Sequence, residues 1–227
     1  MSKSASIAVD GPAGAGKSTI AKAVAGKTGL VYVDTGAMYR AMALYFLERG
    51  LAAGDAEEIE VACRDAQVSI SYDESGTQQV WLNGENVSGR IRAEEVGAMA
   101  SVVSTYPSVR RKLVELQQEL AERTPVIMDG RDIGSVVLPD AGLKIYLTAS
   151  AEVRARRRYD ELTAKGVDCD LAQIRQDMEE RDRRDRERPI APLHQAPDAV
   201  RVDSSDLTPE EVVNTILALY AMREAVQ

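Results

Sequence analysis

The chain has 227 residues, of which 44% are hydrophobic and 28% charged, and this composition is typical of a globular chain with a sizeable core. Its formal charge of −8 argues against a dedicated nucleic-acid binder. The chain has one histidine, which excludes a set of histidine metal ligands, and its two cysteines are too far apart in sequence for a zinc ribbon or a disulfide framework. No apolar run is long enough to span a bilayer and Met1–Asp10 lacks a signal-peptide core, so we expect a cytoplasmic protein without a membrane partner.

The predicted elements alternate between short strands and longer helices. A strand over Ala5–Val9, a helix over Lys17–Lys27 and a strand over Leu30–Val33 form a βαβ unit. The segment Val68–Val87 alternates polar and apolar residues around two turns, which is typical of antiparallel hairpins. Further strands are predicted at Pro125–Met128, Lys144–Leu147 and Ala199–Val202, and further helices at Ala37–Glu48, Ala56–Ala66, Ser108–Glu122, Ala151–Lys165, Leu171–Arg186 and Thr208–Met222. The pattern predicts an α/β fold with buried parallel strands and a small β insert.

A glycine-rich segment follows the first strand and matches the pattern G-x4-G-K-[ST] from Gly11 to Ser18. Glycines let successive backbone N–H groups converge on an anion, and the helix that follows directs its positive dipole end at the same place. Lys17 adds a point charge. The residues predicted to bind the polyphosphate of ATP are Gly11, Pro12, Ala13, Gly14, Ala15, Gly16, Lys17, Ser18 and Thr19. No Asn-Lys-x-Asp segment is present, which disfavours a GTPase.

A second phosphate-related feature is the apolar strand that ends at Asp129. A carboxylate in this place is suited to hold the water shell of Mg²⁺, and the Ser18 hydroxyl can bind the ion directly, so both are candidate magnesium residues. The alternative is a carboxylate that only ends a strand at a turn.

Arginines gather where an anionic acceptor would bind. Arg40 follows the second strand and Arg131 follows the strand ending at Asp129, so both are expected at the carboxyl-end edge of the sheet, where two guanidinium groups suit a phosphate. Ten of the 21 arginines fall between Arg154 and Arg188. Helical spacing groups them into faces that could stabilise a transferring phosphoryl group from a mobile lid. Surface salt bridges and a solvated, charge-rich helix are the alternatives.

Six segments together resemble the bacterial cytidylate kinases, in order and over nearly the whole chain: GPAGAGKST, DTGAMYR, GRDIGSVV, KIYLTASAEVRARRR, ERDRRDRERPIAPL and DAVRVDSSDLT. The resemblance implies a three-layer P-loop NTPase-type core with a parallel sheet of about five strands flanked by helices, a small antiparallel β insert and a helical lid. It divides a single kinase domain, 1–227, into an acceptor-binding part at 36–122 that includes the insert at 67–88, and a lid at 152–188.

The resemblance also implies a reaction and its residues. The reaction is ATP-dependent phosphoryl transfer to CMP or dCMP by a monomer. For this transfer we predict that Mg²⁺ is required and that Lys17, Arg157 and Arg158 are the catalytic residues, because they supply positive charge to the phosphates. Ser101, Arg110 and Asp132 match residues that hold cytosine, Arg181 and Asp185 match residues that hold the sugar, and Arg40, Arg131 and Arg188 match residues that hold the acceptor phosphate. The candidate CMP-binding residues are Thr35, Tyr39, Arg40, Ser101, Arg110, Gly130, Arg131, Asp132, Arg181, Asp185 and Arg188.

Two rival functions share parts of this pattern. A small-metabolite kinase of the shikimate type has the same loop and lid, but an acceptor without a phosphate gives little use to Arg40, Arg131 and Arg188 together. A nucleotide-sensing module would bind ATP and close its lid without transferring the phosphoryl group. Product formation discriminates between these functions.

Overall fold

The computed structural model describes residues 5–225, so residues 1–4, part of the segment predicted to lack a signal peptide, and residues 226–227 lie outside the described residues. The elements follow in chain order as β1 (Ile7–Asp10), α1 (Lys17–Thr28), β2 (Val31–Asp34), α2 (Thr35–Glu48), α3 (Ala56–Ala62), β3 (Val68–Tyr72), β4 (Gln78–Leu82), β5 (Glu85–Asn86), α4 (Glu94–Val103), α5 (Pro107–Arg123), β6 (Val126–Gly130), β7 (Leu143–Thr148), α6 (Ala151–Ala164), α7 (Leu171–Glu187), β8 (Val200–Asp203) and α8 (Pro209–Glu224). They divide into two compact units, the first Met1–Tyr32 with Ala121–Gln227 and the second Val33–Leu120.

A five-stranded sheet in the order β2-β6-β1-β7-β8 organises the first unit, and the unit boundary falls within β2. Strand β1 pairs in parallel with β6 and with β7, and β7 pairs in parallel with β8. All four residues of β1 are buried, because a parallel sheet covered by helices on both faces needs apolar side chains at successive positions rather than alternate ones. The prediction of a parallel α/β core is confirmed.

Helices α1 and α8 supply much of the core of this unit. Ile20 and Val24 of α1 and Val212 and Ile216 of α8 belong to one buried cluster with the apolar residues of β1 and β7. The start of α8 is fixed locally, because Thr208 and Glu211 form a reciprocal capping box and Pro209 occupies the first turn. The cap lies at the start of the helix that the sequence predicts over Thr208–Met222.

The second unit contains the β insert, in which β3, β4 and β5 form a small antiparallel sheet. The turn between β4 and β5 is made by Asn83 and Gly84, which have φ values of 49° and 84°, the left-handed conformation that an Asn-Gly turn favours. Helices α2, α3 and α4 lie in this unit with most of α5. The structure therefore confirms a small antiparallel sheet in addition to the parallel one.

Three differences from the predicted elements concern helices. Helix α2 begins at Thr35, two residues before the predicted start, because the Asp34 side chain accepts a hydrogen bond from Ala37 N and caps it. Helix α4 was not predicted, although its buried residues Val96, Met99, Ala100 and Val103 have helical spacing. A single π-helical turn, Ile133–Val137, follows β6 where no element was predicted. In the described residues no helix is both long and apolar enough to cross a membrane.

Candidate active site

The loop at residues 11–16 connects β1 to α1, and its glycines are required by its geometry. A Cβ atom on Gly11 would lie 1.9 Å from the backbone oxygen of Leu147, so no other residue fits there. Gly14 and Gly16 have φ values of 73° and 86°. Gly16 caps α1 without a side chain that could accept hydrogen bonds from the first turn, which leaves this turn suited to an anion.

Lys17 is the first residue of α1 and is buried, with 6% of its surface exposed. Its Nζ donates a hydrogen bond of 2.8 Å to the carbonyl oxygen of Pro12, so the amine lies against the loop backbone. Burial, followed by the positive charge of Arg131, lowers the pKa of Lys17 to about 7, although Asp129 acts in the opposite direction. An anionic ligand in the loop would stabilise the charged amine and raise this pKa again.

Asp129 lies near the end of β6 and is held by two hydroxyl groups. Ser18 Oγ donates a hydrogen bond of 2.8 Å to its Oδ2, and Tyr32 OH donates one of 2.8 Å to its Oδ1. Among the described residues there is no cluster of three or more His, Cys, Asp or Glu that could hold a metal through protein ligands alone. One hydroxyl and one carboxylate at this distance nevertheless fit Mg²⁺ in a nucleotide site, since that ion takes most of its ligands from phosphates and water.

Asp10 ends β1 and is a site residue that the sequence analysis did not single out. Its two carboxylate oxygens accept hydrogen bonds of 2.7 Å each from the backbone N–H groups of Ile133 and Gly134. Burial raises the pKa of Asp10 to about 6, although these two hydrogen bonds lower it. The carboxylate thereby fixes the chain immediately after Arg131 and Asp132.

Three arginines of α6 line a cavity of about 560 Å³ that also includes the loop residues Gly14 to Ile20. Arg157 donates hydrogen bonds to Oγ and to the backbone oxygen of Ser204, at 3.1 and 2.6 Å. Arg158 is half-exposed and pairs with Glu161 at 2.9 Å. Arg154 is instead buried and is bonded within the protein, to Asp182 and to two backbone oxygens. The remaining lining residues are Glu161, Ser204, Leu207, Pro209 and Val212.

The candidate acceptor residues of the first unit form two buried ion pairs. Arg131 Nε lies 2.7 Å from Asp185 Oδ2, and Arg188 Nη2 lies 3.3 Å from Asp132 Oδ1. Burial alone would raise the pKa of Asp185, but the Arg131 guanidinium outweighs it and holds the pKa below its usual range. Arg188 follows the last residue of α7 and also donates to the Ala191 carbonyl at 2.6 Å. Gly130 ends β6, and Arg181 lies in α7 one turn before Asp185.

The candidate acceptor residues of the second unit lie on α2, α4 and α5: Thr35, Tyr39, Arg40, Ser101 and Arg110. Thr35 is the buried first residue of α2. Arg40 Nη1 donates to the Ile91 carbonyl at 3.3 Å, and the guanidinium of Arg110 lies 6.0 Å from the centre of the Tyr39 ring. The family resemblance groups the β insert with these residues but indicates no contact between them. Gln78 of β4 makes that connection, since its side-chain amide bonds both the N–H and the C=O of Asp34.

Comparison with known proteins identifies the family. The sequence profile of the family described as cytidylate kinase matches residues 7–222. A protein named cytidylate kinase from Desulfitobacterium hafniense is 49% identical over 97% of this chain and 94% of its own length. One from Caldicellulosiruptor saccharolyticus is 48% identical over 96% of each chain. The chain belongs to the cytidylate kinase family.

A solved structure is consistent with this membership at the level of the fold. The crystal structure of an uncharacterized protein from Eubacterium ventriosum superposes with a TM-score of 0.50, at 11% identity, over 95% of this chain and 97% of the other. Identity this low concerns the fold alone. The cytidylate kinase resemblance predicted from the six sequence segments is therefore confirmed by the relatives, and the parallel core by the structure itself.

Two residues of this cytidylate kinase fold escaped the sequence analysis for different reasons. Asp10 carries the same signal as Asp129, an apolar strand ending in a carboxylate, and that signal could have found it. Asp182 lies within a run of alternating charges in α7, and although Met178 precedes it by one turn on the same face, a carboxylate in such a run does not by itself indicate complete burial.

Proposed function

We propose that this chain transfers the γ-phosphoryl group of ATP to CMP or dCMP and releases ADP with CDP or dCDP. The observation that carries the proposal is the membership of the cytidylate kinase family over nearly the full chain. The loop–lysine arrangement at residues 11–17 supports the donor half of the reaction, because backbone N–H groups and a buried amine suit a polyphosphate.

The donor is bound, in this proposal, by the loop residues 11–19 and by the cavity beside them. The first turn of α1 and Lys17 hold the β- and γ-phosphates, and Arg157 and Arg158 supply positive charge from α6. The cavity pairs these charges with the apolar residues Leu207 and Val212, which suits a ligand with a polyphosphate end and a planar base. The three proposed catalytic residues are Lys17, Arg157 and Arg158.

Ser18 and Asp129 would hold Mg²⁺, which when bound neutralises phosphate charge. The fit rests on the 2.8 Å contact between the Ser18 hydroxyl and the Asp129 carboxylate. Tyr32 keeps the other carboxylate oxygen oriented. The magnesium requirement belongs to the proposal.

The acceptor is bound, in this proposal, through its phosphate, its sugar and its base. Arg40, Arg131 and Arg188 bind the phosphate, because guanidinium groups match phosphate oxygens in pairs. Arg181 and Asp185 bind the sugar. Ser101, Arg110 and Asp132 bind cytosine, whose N4 amino group donates to a carboxylate where uracil would present a carbonyl oxygen. Thr35, Tyr39 and Gly130 complete the proposed set.

Catalysis of this kind needs no general base. The acceptor phosphate is already ionised at neutral pH and the transition state of phosphoryl transfer is loose, so positioning and charge stabilisation supply the rate enhancement. The one histidine, His194, is exposed, with its Nδ1 2.9 Å from the Pro192 carbonyl oxygen, and it has no role in the proposed reaction.

The test is a panel of acceptors. Purified protein is incubated with Mg·ATP and separately with CMP, dCMP, UMP, AMP, GMP and shikimate, and ADP formation is followed against a blank without acceptor. Fast release with CMP and dCMP alone is expected. Release with shikimate would favour the small-metabolite kinase, and tight ATP binding without release for any acceptor would favour the sensing module.

The finer organisation of the molecule is part of the proposal too. We propose that 36–122 serves as the acceptor-binding part with its β insert at 67–88, that 152–188 is a lid, and that the protein is a cytoplasmic monomer. Limited proteolysis with and without ATP tests the lid. Nucleotide should change the cleavage pattern between Arg154 and Arg188, and an unchanged pattern would contradict a closing lid.

A further inference from the structure

Ala13, in the middle of the phosphate-binding loop, has both of its backbone polar groups bonded to side chains from remote parts of the chain. Its N–H donates to Oδ1 of Asp182 at 3.3 Å, and its carbonyl oxygen accepts from Nη1 of Arg154 at 2.9 Å. Arg154 Nη1 in turn lies 2.7 Å from Asp182 Oδ2. One ion pair, formed between α6 and α7, therefore fixes the peptide units on both sides of Ala13.

This ion pair is buried almost completely. Arg154 is 4% exposed and Asp182 0%. Arg154 Nε also donates to the Ala149 carbonyl at 3.0 Å, and the exposed Arg186 lies 3.7 Å from Asp182. Replacing a buried ion pair by apolar side chains of similar volume is often neutral or stabilising, so the attraction between the two charges does not by itself account for this pair.

Helix α7 contacts the loop at a second point and also carries candidate acceptor residues. A Cβ atom on Gly14 would lie 2.4 Å from Cε of Met178, so the Met178 side chain packs closely on the loop one turn before Asp182. Arg181 precedes Asp182 directly, and Asp185 follows it by one turn on the same helix. The residues that hold the loop and the residues proposed to bind CMP thus belong to one rigid element.

We propose that Arg154 and Asp182 are positioning residues of the donor site. The pair sets the orientation of the peptide units around Ala13, so that the affinity of the loop for ATP depends on the position of α7. This inference rests on the proposed donor site at residues 11–19. Because coupling between sites is reciprocal, ATP bound to the loop also favours the position of α7 that the pair requires.

The test replaces both charges at once. The double variant Arg154→Met, Asp182→Leu keeps similar volume but removes the hydrogen bonds to Ala13 and Ala149, and we expect a folded protein with a lowered Tm, because buried backbone groups lose their partners. Calorimetric titration measures the Kd of Mg·ATP and, separately, the Kd of CMP, so that no turnover occurs. The Kd of ATP should rise about tenfold, as expected for the loss of charge-assisted hydrogen bonds at a binding loop, while that of CMP changes less than about threefold.

A matched control is an exposed ion pair on α6, the helix that also carries Arg154. Arg156 and Asp160 form an i, i+4 ion pair of 3.0 Å in α6 with more than half of each side chain exposed. The variant Arg156→Met, Asp160→Leu should leave both Kd values unchanged. An unchanged ATP affinity in the folded double variant would overturn the proposal, and so would an equal rise of the two Kd values.

A second variant covers a failure of the first to fold. Arg154→Lys keeps the charge beside Asp182 but has fewer donors and a shorter reach, so it should raise the Kd of ATP and speed hydrogen exchange at the Ala13 amide. Unchanged affinity and unchanged exchange would again contradict the proposal. Wild-type protein that binds ATP without phosphorylating CMP would refute the proposed function while leaving this comparison of ATP affinities valid.

Discussion

Helices α6 and α7 carry two sets of arginines that have the same chemistry and different surroundings. On the buried side, Arg154 pairs with Asp182 at 2.7 Å, with 5% and 1% of the two side chains exposed. On the exposed side, Arg183 pairs with Glu187 at 2.8 Å, with 56% and 63% exposed. The spacing of these arginines is compatible with a ligand-binding face and with a solvated, charge-rich helix. In the structure the two helices contain both a buried face and a solvated one.

The arginines of α6 and α7 differ in role because they differ in burial, and their number does not indicate that role. Removing a charge from water costs several kcal/mol, so a buried guanidinium persists only where carboxylates and carbonyl oxygens compensate it. An exposed pair contributes little, since water and salt screen it. Substitutions of single charges on the buried face should therefore have larger effects than those on the exposed face.

The largest effect is expected for Lys17, a buried cation whose amine bonds a backbone carbonyl. Lys17→Ala should lower kcat about 10³-fold, because the positive charge at the transferring phosphoryl group is lost, while the Tm stays close to that of the wild type. Steady-state kinetics and thermal unfolding measure the two quantities. Lys27→Ala, at an exposed position in the last turn of the same helix, is the control. Near-normal kcat for Lys17→Ala would show that the loop is not the donor site.

The buried pair of Arg131 and Asp185 should give the next largest effect. Asp185→Ala leaves the Arg131 guanidinium without its partner at 2.7 Å and removes a proposed sugar ligand. We expect the KM for CMP to rise about 100-fold and the free energy of unfolding to fall by about 3 kcal/mol. Kinetics and urea unfolding check both values. Glu187→Ala on the same helix should change neither, and an unchanged dependence on CMP would remove Asp185 from the acceptor site.

Arg158 tests whether burial divides the arginines by role, because it is half-exposed like the arginines of the solvated face but is proposed to be catalytic. Its guanidinium pairs with Glu161 and lines the same cavity as the loop. Arg158→Gln should lower kcat by about 30-fold and leave the Tm unchanged, since no buried charge loses a partner. The matched control is Arg156→Gln, two residues earlier on the same helix and outside the cavity lining. Equal kcat values for the two variants would place Arg158 with the solvated arginines.

A pH titration examines Lys17, a buried cation whose charge can change near neutrality. The pKa of Lys17 is lowered from 10.5 to about 7 in the free protein, so above pH 7 the amine is mostly neutral. ATP phosphates raise that pKa, and binding therefore takes up a proton. Affinity for ATP should decrease by up to about tenfold from pH 8 to pH 9, where ATP itself no longer changes ionisation. Calorimetry in two buffers of different ionisation enthalpy counts the protons, and Lys17→Met should take up none.

Sequence reasoning found the elements and the loop because their signals are local. The glycine pattern, the Thr208 cap and the Asn83–Gly84 turn are each set by a few consecutive residues, and the structure contains all three. The burial of Asp182 depends instead on Ala13, 169 positions away, and that of Asp10 on Ile133, 123 positions away. Asp182 continues the face of α7 that carries Ile174 and Met178, but this pattern does not show that a carboxylate on that face has buried partners.

Family resemblance added what local patterns lack, a set of residues expected to act on one substrate. Arg131 and Asp185 were named separately, as phosphate and sugar residues, and the structure joins them in one ion pair. Arg154 illustrates the opposite case. Its i, i+3 spacing with Arg157 suggested a shared ligand-binding face, whereas its guanidinium is engaged by the protein's own backbone and Asp182.

The smallest effect is expected at Arg183, which pairs with both Glu180 and Glu187 on the surface of α7. The two carboxylates raise the pKa of Arg183, so the residue stays charged at any accessible pH, but water screens the interaction. Arg183→Gln should change the Tm by less than about 2 °C and leave kcat and both KM values unaltered. A loss of CMP affinity in this variant would mean that the exposed face of α7 contributes to the acceptor site, and the division of the arginines by burial would then be wrong.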